Sequence, residues 1–150
     1  MKKLILKTIA ALILISFLFA ACKKSKHIKT NTELITQSSW KFDHATASGF
    51  GDVSSQIPAC YKDNIIAFVS NGTGTVDEST TVCSPSNAGN FTWSFQTNET
   101  MLHLSTVLFS GGTTDFTIVS LNETNLVISQ TVILPPPNAI MTTVEFTLKH

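Results

Sequence analysis

Short segments in which apolar and polar side chains alternate occupy the chain from residue 40 to residue 149, and this two-residue period restricts the fold most. In the stretch FTWSFQ at residues 91–96, three aromatic side chains alternate with three polar ones. Neighbouring side chains of a β-strand point to opposite faces, so each such strand has one apolar face and one polar face. We interpret eight segments as strands: 40–48, 63–70, 73–80, 90–97, 100–108, 113–120, 125–133 and 140–149.

The links between these segments contain residues that favour turns. Asn71-Gly72 and Gly111-Gly112 offer the positive φ angles that tight hairpins need. The three prolines of the run PPPN at residues 135–138 have no amide hydrogen to donate to a ladder, so the run predicts a projecting loop. Consecutive antiparallel strands close on themselves more readily than they leave two long edges exposed. The sequence therefore predicts an all-β fold, an eight-stranded up-and-down antiparallel barrel.

A short helix is predicted directly before the first strand, at residues 32–38. Thr32 is placed to act as its N-cap, and Glu33 falls in its first turn. Together the helix and the strands define one barrel domain over residues 32–150.

The first 21 residues have the parts of a secretory signal peptide. Three of the first seven residues are lysines, and Ser16 is the one polar residue between positions 9 and 21. That apolar run has 13 residues, fewer than the ~20 that a membrane-spanning helix needs. We therefore predict an exported protein from which residues 1–21 are removed.

Phe19-Ala20-Ala21-Cys22 resembles the lipobox of bacterial lipoproteins, in which a small residue precedes the cysteine that becomes lipidated. Each buried CH₂ of an acyl chain contributes ~0.8 kcal/mol, so two or three chains form a stable anchor. We predict cleavage before Cys22 and a basic tether over residues 22–31 that links the membrane to the barrel. The alternative is an ordinary signal peptide that is cleaved nearby, with Cys22 unmodified.

The lipobox resemblance implies a location in the bacterial cell envelope. In Gram-negative lipoproteins, an Asp directly after the lipidated Cys resembles a signal for retention in the inner membrane. This chain has Lys23 at that position. We therefore expect a lipid anchor in the outer membrane, on either its periplasmic or its surface face.

The charge of the domain excludes one class of partner. Residues 31–150 contain three lysines, no arginine and ten acidic residues. A nucleic-acid-binding surface needs clustered lysine and arginine to displace counterions from phosphates. We therefore expect no nucleic-acid partner.

The other two cysteines, Cys60 and Cys83, lie on either side of the predicted hairpin at Asn71-Gly72. With this two-residue turn, paired residue numbers sum to 143, as those of the two cysteines do; a three-residue turn would offset them by one. Exported proteins meet oxidising conditions, in which such a pair usually forms a disulfide. The alternative is a pair of free buried thiols.

The segment Ser38-Ser39-Trp40-Lys41 begins the first predicted strand directly after the helix. A tryptophan at this place, followed by seven more up-and-down strands, resembles the lipocalin family and especially the bacterial lipocalin-like lipoproteins. The stretch ACYKDNIIAFVSNGTGTVDESTTVC is similar to the part of those lipoproteins in which a Cys before the second strand pairs with one after the third. The resemblance covers residues 32–150 and implies a barrel with an enclosed interior.

Two positions depart from the lipocalin pattern. Ser38 stands where the family has glycine. The family also packs an arginine from near the last strand over the tryptophan, and this chain has no arginine. Lys149 is expected to take that place through its aliphatic stem and its charge.

An eight-stranded barrel is wide enough either to hold one small ligand or to be filled by its own side chains. We predict a small hydrophobic ligand inside, with His44 as an inward polar group. The candidate lining residues are Phe42, His44, Phe68, Trp93, Phe95, Leu104, Phe116 and Phe146. The alternative is a filled barrel that serves as a structural or partner-binding envelope lipoprotein. Its contacts would lie at residues 47–59, which include Phe50, and at the proline-rich loop 134–139.

We find no pattern for catalysis, a metal or a cofactor. His44 and His103 lie on separate predicted strands, without the spacing of a metal-ligand set. A Gly-x-Ser-x-Gly motif is absent, and the adjacent Asp77 and Glu78 point to opposite faces of a strand. We therefore expect a protein that is not an enzyme.

Overall fold

The computed structural model of the chain describes residues 27–133 and 140–150. The predicted signal peptide at 1–21, the lipidation site Cys22 and the proline-rich loop 134–139 lie outside the described residues. The predicted tether lies within them only from residue 27.

Strands make up most of the ordered elements. In chain order the elements are α1 (Asn31–Ile35), β1 (Trp40–Ala47), β2 (Gly51–Asp52), a 3₁₀ helix (Ser54–Gln56), α2 (Ala59–Lys62), β3 (Ile65–Val69), β4 (Thr73–Asp77), β5 (Gly89–Gln96), β6 (Met101–Leu104), β7 (Asp115–Leu121), β8 (Asn125–Ile133) and β9 (Met141–Lys149). In the part of the chain that the structure describes, no helix is long and apolar enough to cross a membrane.

All strands join one antiparallel sheet, in the order β2-β1-β3-β4-β5-β6-β7-β8-β9, and β9 also pairs with β1. This pairing, from Lys41↔Lys149 to Ala47↔Val144, closes the sheet into a barrel. β2 adds only two residues beside the end of β1, so the eight longer strands form the wall. The predicted eight-stranded up-and-down barrel is confirmed.

The helix before the barrel has Thr30 as its N-cap, so the prediction of Thr32 was wrong. The Glu33 N–H donates to the Thr30 hydroxyl at 3.2 Å, and the Thr30 N–H donates to the Glu33 carboxylate at 2.7 Å. This reciprocal capping box needs a Ser or Thr three residues before the Glu, and Thr30 is that residue. The Thr30 N–H, His27 and the Thr30 hydroxyl together lower the pKa of Glu33 from 4.5 to about 2.

The predicted alternation of faces is confirmed along most of the wall. On β5, for example, Phe91 and Trp93 are buried while the residues between and beside them are exposed. On β7, Val119 is 48% exposed and breaks the pattern. The register of β7 and β8 shifts between Ile118 and Ser120, and a bulge of this kind turns one extra residue outward.

The turn between β3 and β4 has three residues, 70–72, rather than two. Val69 pairs with Thr73, and the Gly72 N–H donates to the Val69 carbonyl oxygen at 3.0 Å. Paired residue numbers along this ladder therefore sum to 142. Gly72 has a φ of 84°, which closes such a turn and favours glycine.

Gly74 on β4 lies between two aromatic side chains of the interior. It pairs with Phe68 on one side and with Phe91 on the other. A Cβ at Gly74 would lie 2.3 Å from Phe91 Cζ and 2.6 Å from the Ala67 carbonyl oxygen. Because that oxygen belongs to the barrel backbone, we expect Gly74→Ala to lower the free energy of unfolding by about 1–3 kcal/mol in urea denaturation.

Thr75→Ala is the matched control, since Thr75 follows Gly74 on β4 and is exposed on the outer face. Its effect on the free energy of unfolding should stay within about 0.5 kcal/mol. A Gly74→Ala protein as stable as the wild type would contradict the close approach of the Gly74 and Ala67 backbones.

Candidate functional site

The connections between strands gather at the two ends of the barrel. At the base lie α1 and the turns 70–72, 97–100 and 122–124. The opposite end, which we call the loop end, carries the connections 48–64, 78–88 and 105–114. A ligand reaches a barrel interior through its mouth, so the closure of each end decides where a site lies.

Trp40, the first residue of β1, closes the base and is fully buried. Its indole N–H donates to the Ile35 carbonyl oxygen of α1 at 2.8 Å. The ring of His150 lies against the indole, with centroids 3.9 Å apart and planes inclined by 36°. His150 Nδ1 is 2.9 Å from the Ser39 carbonyl oxygen, so Nδ1 carries the hydrogen. The helix, the first strand and the C-terminus are thus joined at the base.

His150 covers Trp40, and the expectation that Lys149 does so was wrong. Adjacent residues of a strand face opposite ways, and Lys149 lies on the outer side of β9. There its Nζ is 2.9 Å from Asp43 Oδ2. Hydrogen bonds from Lys149 and then from His44 lower the pKa of Asp43.

Aromatic side chains fill the interior near the base. The base cluster consists of Phe68, Phe91, Trp93 and Phe95. Consecutive rings meet edge to face, with centroids 5.3 to 5.5 Å apart, an arrangement that adds to their burial energy. The Trp93 N–H donates to the carbonyl oxygens of Val69 and Thr73 at 3.0 and 2.9 Å. The base half of the interior is therefore occupied by residues of the wall itself.

A second group of rings lies towards the loop end, and we call it the mouth cluster. It consists of Phe42, Tyr61, Phe109, Phe116 and Phe146. Phe109 is at its centre and stacks on Phe146, with centroids 4.0 Å apart and planes within 3°. The other three rings surround Phe109 at 6.4 to 6.5 Å. Phe109 comes from a connection rather than from a strand, so the wall alone does not fill this space.

Of the residues predicted to line a ligand site, all but His44 point into the barrel. The buried ones are Phe68, Trp93, Leu104, Phe116 and Phe146. Phe42 and Phe95 are partly buried and pack against the core. The structure therefore divides the predicted set between the base cluster, the mouth cluster and Leu104.

The prediction that His44 faces the interior was wrong. The register of β1 and β9 shifts between Phe42 and His44, so the strand bulges at Asp43 and His44 turns outward. His44 Nδ1 is 2.7 Å from Asp43 Oδ2, and 46% of the His44 side chain is exposed. Alternation alone predicts that His44 faces the same side of the strand as Phe42, and the bulge reverses the orientation of His44.

Sequence reasoning missed Phe109. The strand predicted to end at residue 108 ends at Leu104 instead, and Leu108 and Phe109 in the following connection are both buried. Two adjacent apolar residues cannot both face the same side of a strand. That pair, which only Ser110 separates from Gly111-Gly112, was the available signal for a connection that turns inward.

The predicted disulfide between Cys60 and Cys83 is confirmed, with Cα atoms 5.1 Å apart. The cysteines lie beyond the β3–β4 ladder, whose last pair is Ile65↔Asp77. Cys60 belongs to α2 and Cys83 to the connection 78–88. The bridge therefore ties two connections of the loop end to each other.

Glu78 holds the connection 78–88 from within. Its buried carboxylate accepts hydrogen bonds from the N–H groups of Cys83 and Asn87 at 2.9 and 3.1 Å. The Ser86 hydroxyl also donates to it and is the main cause of the lowered pKa of Glu78. This side of the loop end is thus held by both a covalent bond and buried hydrogen bonds.

Gln130 is a polar side chain that points into the barrel at the loop end. It pairs across the β8–β9 ladder with the buried Val144 and is 6% exposed. Its Oε1 accepts from the Thr113 N–H at 2.8 Å. Its Nε2 has no partner among the described residues and packs so closely on Gly112 that a Cβ there would lie 2.4 Å away. Gln130 thus has an unused hydrogen-bond donor beside the connection that carries Phe109.

Two depressions lie on the outer face of the barrel, with volumes of about 410 and 330 Å³. The first follows β4 and β5 along Thr73, Thr75 and Thr92. The second lies between β7 and β8, along Asp115 and Thr131. Both depressions are open to solvent and would bury little of a hydrophobic ligand, although Val69 also lines the first, so the interior remains the better candidate site.

Comparison with protein families agrees with this architecture. The family model of the lipocalin-like domain matches residues 36–128, more than half of the 150 residues. The comparison with curated proteins finds no match. The matched segment runs from just before β1 into β8 and includes Trp40, the disulfide and Phe109. The chain therefore belongs to the lipocalin-like domain family.

Proposed function

We propose that this chain binds a small hydrophobic ligand in the loop-end half of its barrel. The observation that carries the proposal is the mouth cluster, in which the wall leaves a ring-sized space that Phe109 of a connection fills. A space that accepts a phenyl ring of the chain has the size and the apolar surface to accept a similar ring of a ligand. Barrels of the lipocalin-like family commonly bind hydrophobic molecules, which supports the same role here.

Titration with N-phenyl-1-naphthylamine tests the proposal, because this probe fluoresces in apolar surroundings. Energy transfer from the two tryptophans of the chain reports binding close to the interior. We expect saturable binding of one probe per chain, with displacement by other hydrophobic molecules. A signal that rises linearly with probe, without saturation, would contradict the proposal.

Two matched variants separate the interior from the outer surface. Phe42→Asp places a carboxylate beside the ring of Phe109, and burying an unpaired charge is costly. We expect this variant to bind the probe at least about tenfold more weakly. Val119→Asp makes the same change at an exposed apolar position and should leave the affinity unchanged. Equal losses in both variants would mean that the probe binds outside the barrel.

We also propose that lipid on Cys22 anchors the protein in the cell envelope, most simply in the outer membrane. The support is the lipobox-like sequence and the attachment of the N-terminal segment to the base, where Lys29 Nζ is 3.4 Å from Glu123 Oε1. In a bacterial host, Cys22→Ser should move the protein from the membrane fraction to the soluble fraction. Ser25→Ala, a nearby change, should not. Unchanged fractionation of Cys22→Ser would refute the anchor.

A second candidate function, binding of a protein partner by a filled barrel, is favoured by exposed apolar side chains at the loop end. Phe50, Ile133 and Met141 are exposed there, Met141 by 72%. If the wild-type protein binds no hydrophobic probe, this function becomes the better one. Analytical ultracentrifugation of envelope extracts should then show the protein in a larger complex that dissociates when Phe50 and Met141 are replaced by serine.

We propose a binding role in preference to catalysis. His103 Nδ1 is 2.6 Å from Asp115 Oδ1, but both side chains are open to solvent on the outer face. Within residues 27–133 and 140–150, no group of three or more His, Cys, Asp or Glu side chains could hold a metal ion. The concentration of apolar side chains in the interior supports binding.

A further inference from the structure

We propose that Phe109 occupies the ligand's own place, so that a ligand binds only when the connection 105–114 swings outward. The ligand would carry a planar aromatic ring for the face of Phe146 and a neutral hydrogen-bond acceptor for Gln130 Nε2. This inference rests on the proposed function and specifies the site and the chemical class of its ligand.

The connection that carries Phe109 has few hydrogen bonds over its middle part. Among the described residues, the only hydrogen bond of segment 106–111 is internal to the connection, from the Gly112 N–H to the Phe109 carbonyl oxygen at 3.1 Å. The ends are better held, because Leu104 donates to the Thr114 carbonyl oxygen at 2.9 Å and Thr113 donates to Gln130. Between its two ends the segment is therefore held mainly by the burial of Leu108 and Phe109, which a bound ligand would have to replace.

The point about which the segment can turn lies next to the fixed Thr113. Gly111 has a φ of 77°, in a region that favours glycine, and Gly112 follows it. Rotation there would carry Phe109 out of the mouth cluster without breaking the bond between Thr113 and Gln130. The same movement would uncover Gln130 Nε2, because Gly112 is the residue that packs on it.

The surfaces of Phe146 and Gln130 that this movement exposes would then determine which class of ligand binds. Phe146 presents a ring face on which Phe109 now stacks at 4.0 Å, so a flat ring fits best. Gln130 and Phe146 are diagonal neighbours across the β8–β9 ladder, a relation that places residues ~7–8 Å apart. An acceptor on a group bonded to the ring, such as the oxygen of an aryl ketone, would extend from the ring face towards Gln130.

A neutral acceptor suits the site better than an anion. The lysines that the structure describes are exposed or only partly buried, and they lie outside the interior. A carboxylate bound beside Gln130 would therefore be buried without an opposite charge, which is costly. An aryl ketone satisfies the amide N–H without that penalty.

Binding of acetophenone, an aryl ketone, to the full-length protein tests the inference by isothermal calorimetry. Phe109→Ala empties the ring position and should bind acetophenone at least about tenfold more tightly than the wild type, because a closed state populated above ~90% reduces apparent affinity by that factor. Val107→Ala is the matched control: it shortens a neighbouring but exposed side chain of the same connection and should bind within about twofold of the wild type. Phe109→Leu, a milder change, should show an intermediate gain.

Ethylbenzene, which has the same ring without the acceptor, tests the role of Gln130. Phe109→Ala should prefer acetophenone over ethylbenzene by about fivefold, the effect of one net hydrogen bond. In Phe109→Ala with Gln130→Met, the preference should disappear. Equal affinity for the two molecules in Phe109→Ala would overturn the assigned ligand class.

The outcomes separate this inference from the proposed function. If the wild type and Phe109→Ala bind acetophenone alike, the displacement of Phe109 is refuted while the ligand-binding function stands. Equal gains in Val107→Ala and Phe109→Ala would also refute it, because emptying the ring position would then not explain the gain. If neither the wild type nor any variant binds acetophenone or the naphthylamine probe, the proposed function itself fails.

Discussion

Replacement of Trp40 by alanine is expected to lower the free energy of unfolding by about 3–5 kcal/mol, the usual cost of truncating a large buried aromatic residue. Trp40 is fully buried and donates a hydrogen bond to Ile35 of α1. His150 covers its ring at a centroid distance of 3.9 Å. The substitution therefore removes apolar burial, leaves the Ile35 carbonyl without its donor and separates three parts of the chain that meet at the base.

Urea denaturation followed by far-ultraviolet circular dichroism measures this effect without relying on tryptophan fluorescence. Trp40→Phe keeps an aromatic ring but loses the indole N–H, so we expect a smaller loss of about 1–3 kcal/mol. Lys41→Ala, at the next and exposed position of β1, should change the free energy of unfolding by no more than about 0.5 kcal/mol. If Trp40→Ala cost less than about 1 kcal/mol, closure of the base by this residue would be disproved.

Removal of the disulfide should have the second largest effect. Cys60 and Cys83 are 23 residues apart in sequence, and a cross-link over such a loop stabilises a protein by about 3 kcal/mol through the entropy of the unfolded chain. The double variant Cys60→Ser, Cys83→Ser should lose that amount in urea denaturation. Because the bridge joins α2 to the connection 78–88 outside the ladder, amide hydrogen exchange should increase there first.

Two controls distinguish loss of the cross-link from a general disturbance of the loop end. Reduction of the wild-type protein should reproduce the loss seen in the double variant. Val82→Ala changes an exposed residue beside Cys83 and should leave both stability and hydrogen exchange unchanged. A double variant as stable as the wild type would show that the buried bonds of Glu78 hold this connection without the bridge.

Alternation predicted the wall well because it reflects a local property of the backbone. A strand that buries one face must place an apolar residue at every second position, whatever its partners are. The faces of Phe91, Trp93 and Phe95 followed from that rule alone. The proximity of Cys60 and Cys83 followed instead from the position of the turn at Asn71-Gly72.

Errors arose where the strands interrupt their own period. The shift at Asp43 turned His44 outward, and the shift at Val119 exposed an apolar residue. A bulge depends on how two strands fit each other around a curved wall, and neither strand's sequence records that fit. The predicted length of β6 was also wrong. The strand ends at Leu104, and the connection after it turns inward and places Phe109 inside the barrel.

The sequence by itself determined that the chain forms a closed β wall with an aromatic interior, because periodicity and turn residues act over a few neighbouring positions. Only the tertiary structure decided what occupies the two ends of that wall. His150 at the base follows the end of β9, and Phe109 at the mouth belongs to the connection between β6 and β7. Their contacts join residues far apart in sequence, and such contacts depend on the space that the folded barrel leaves.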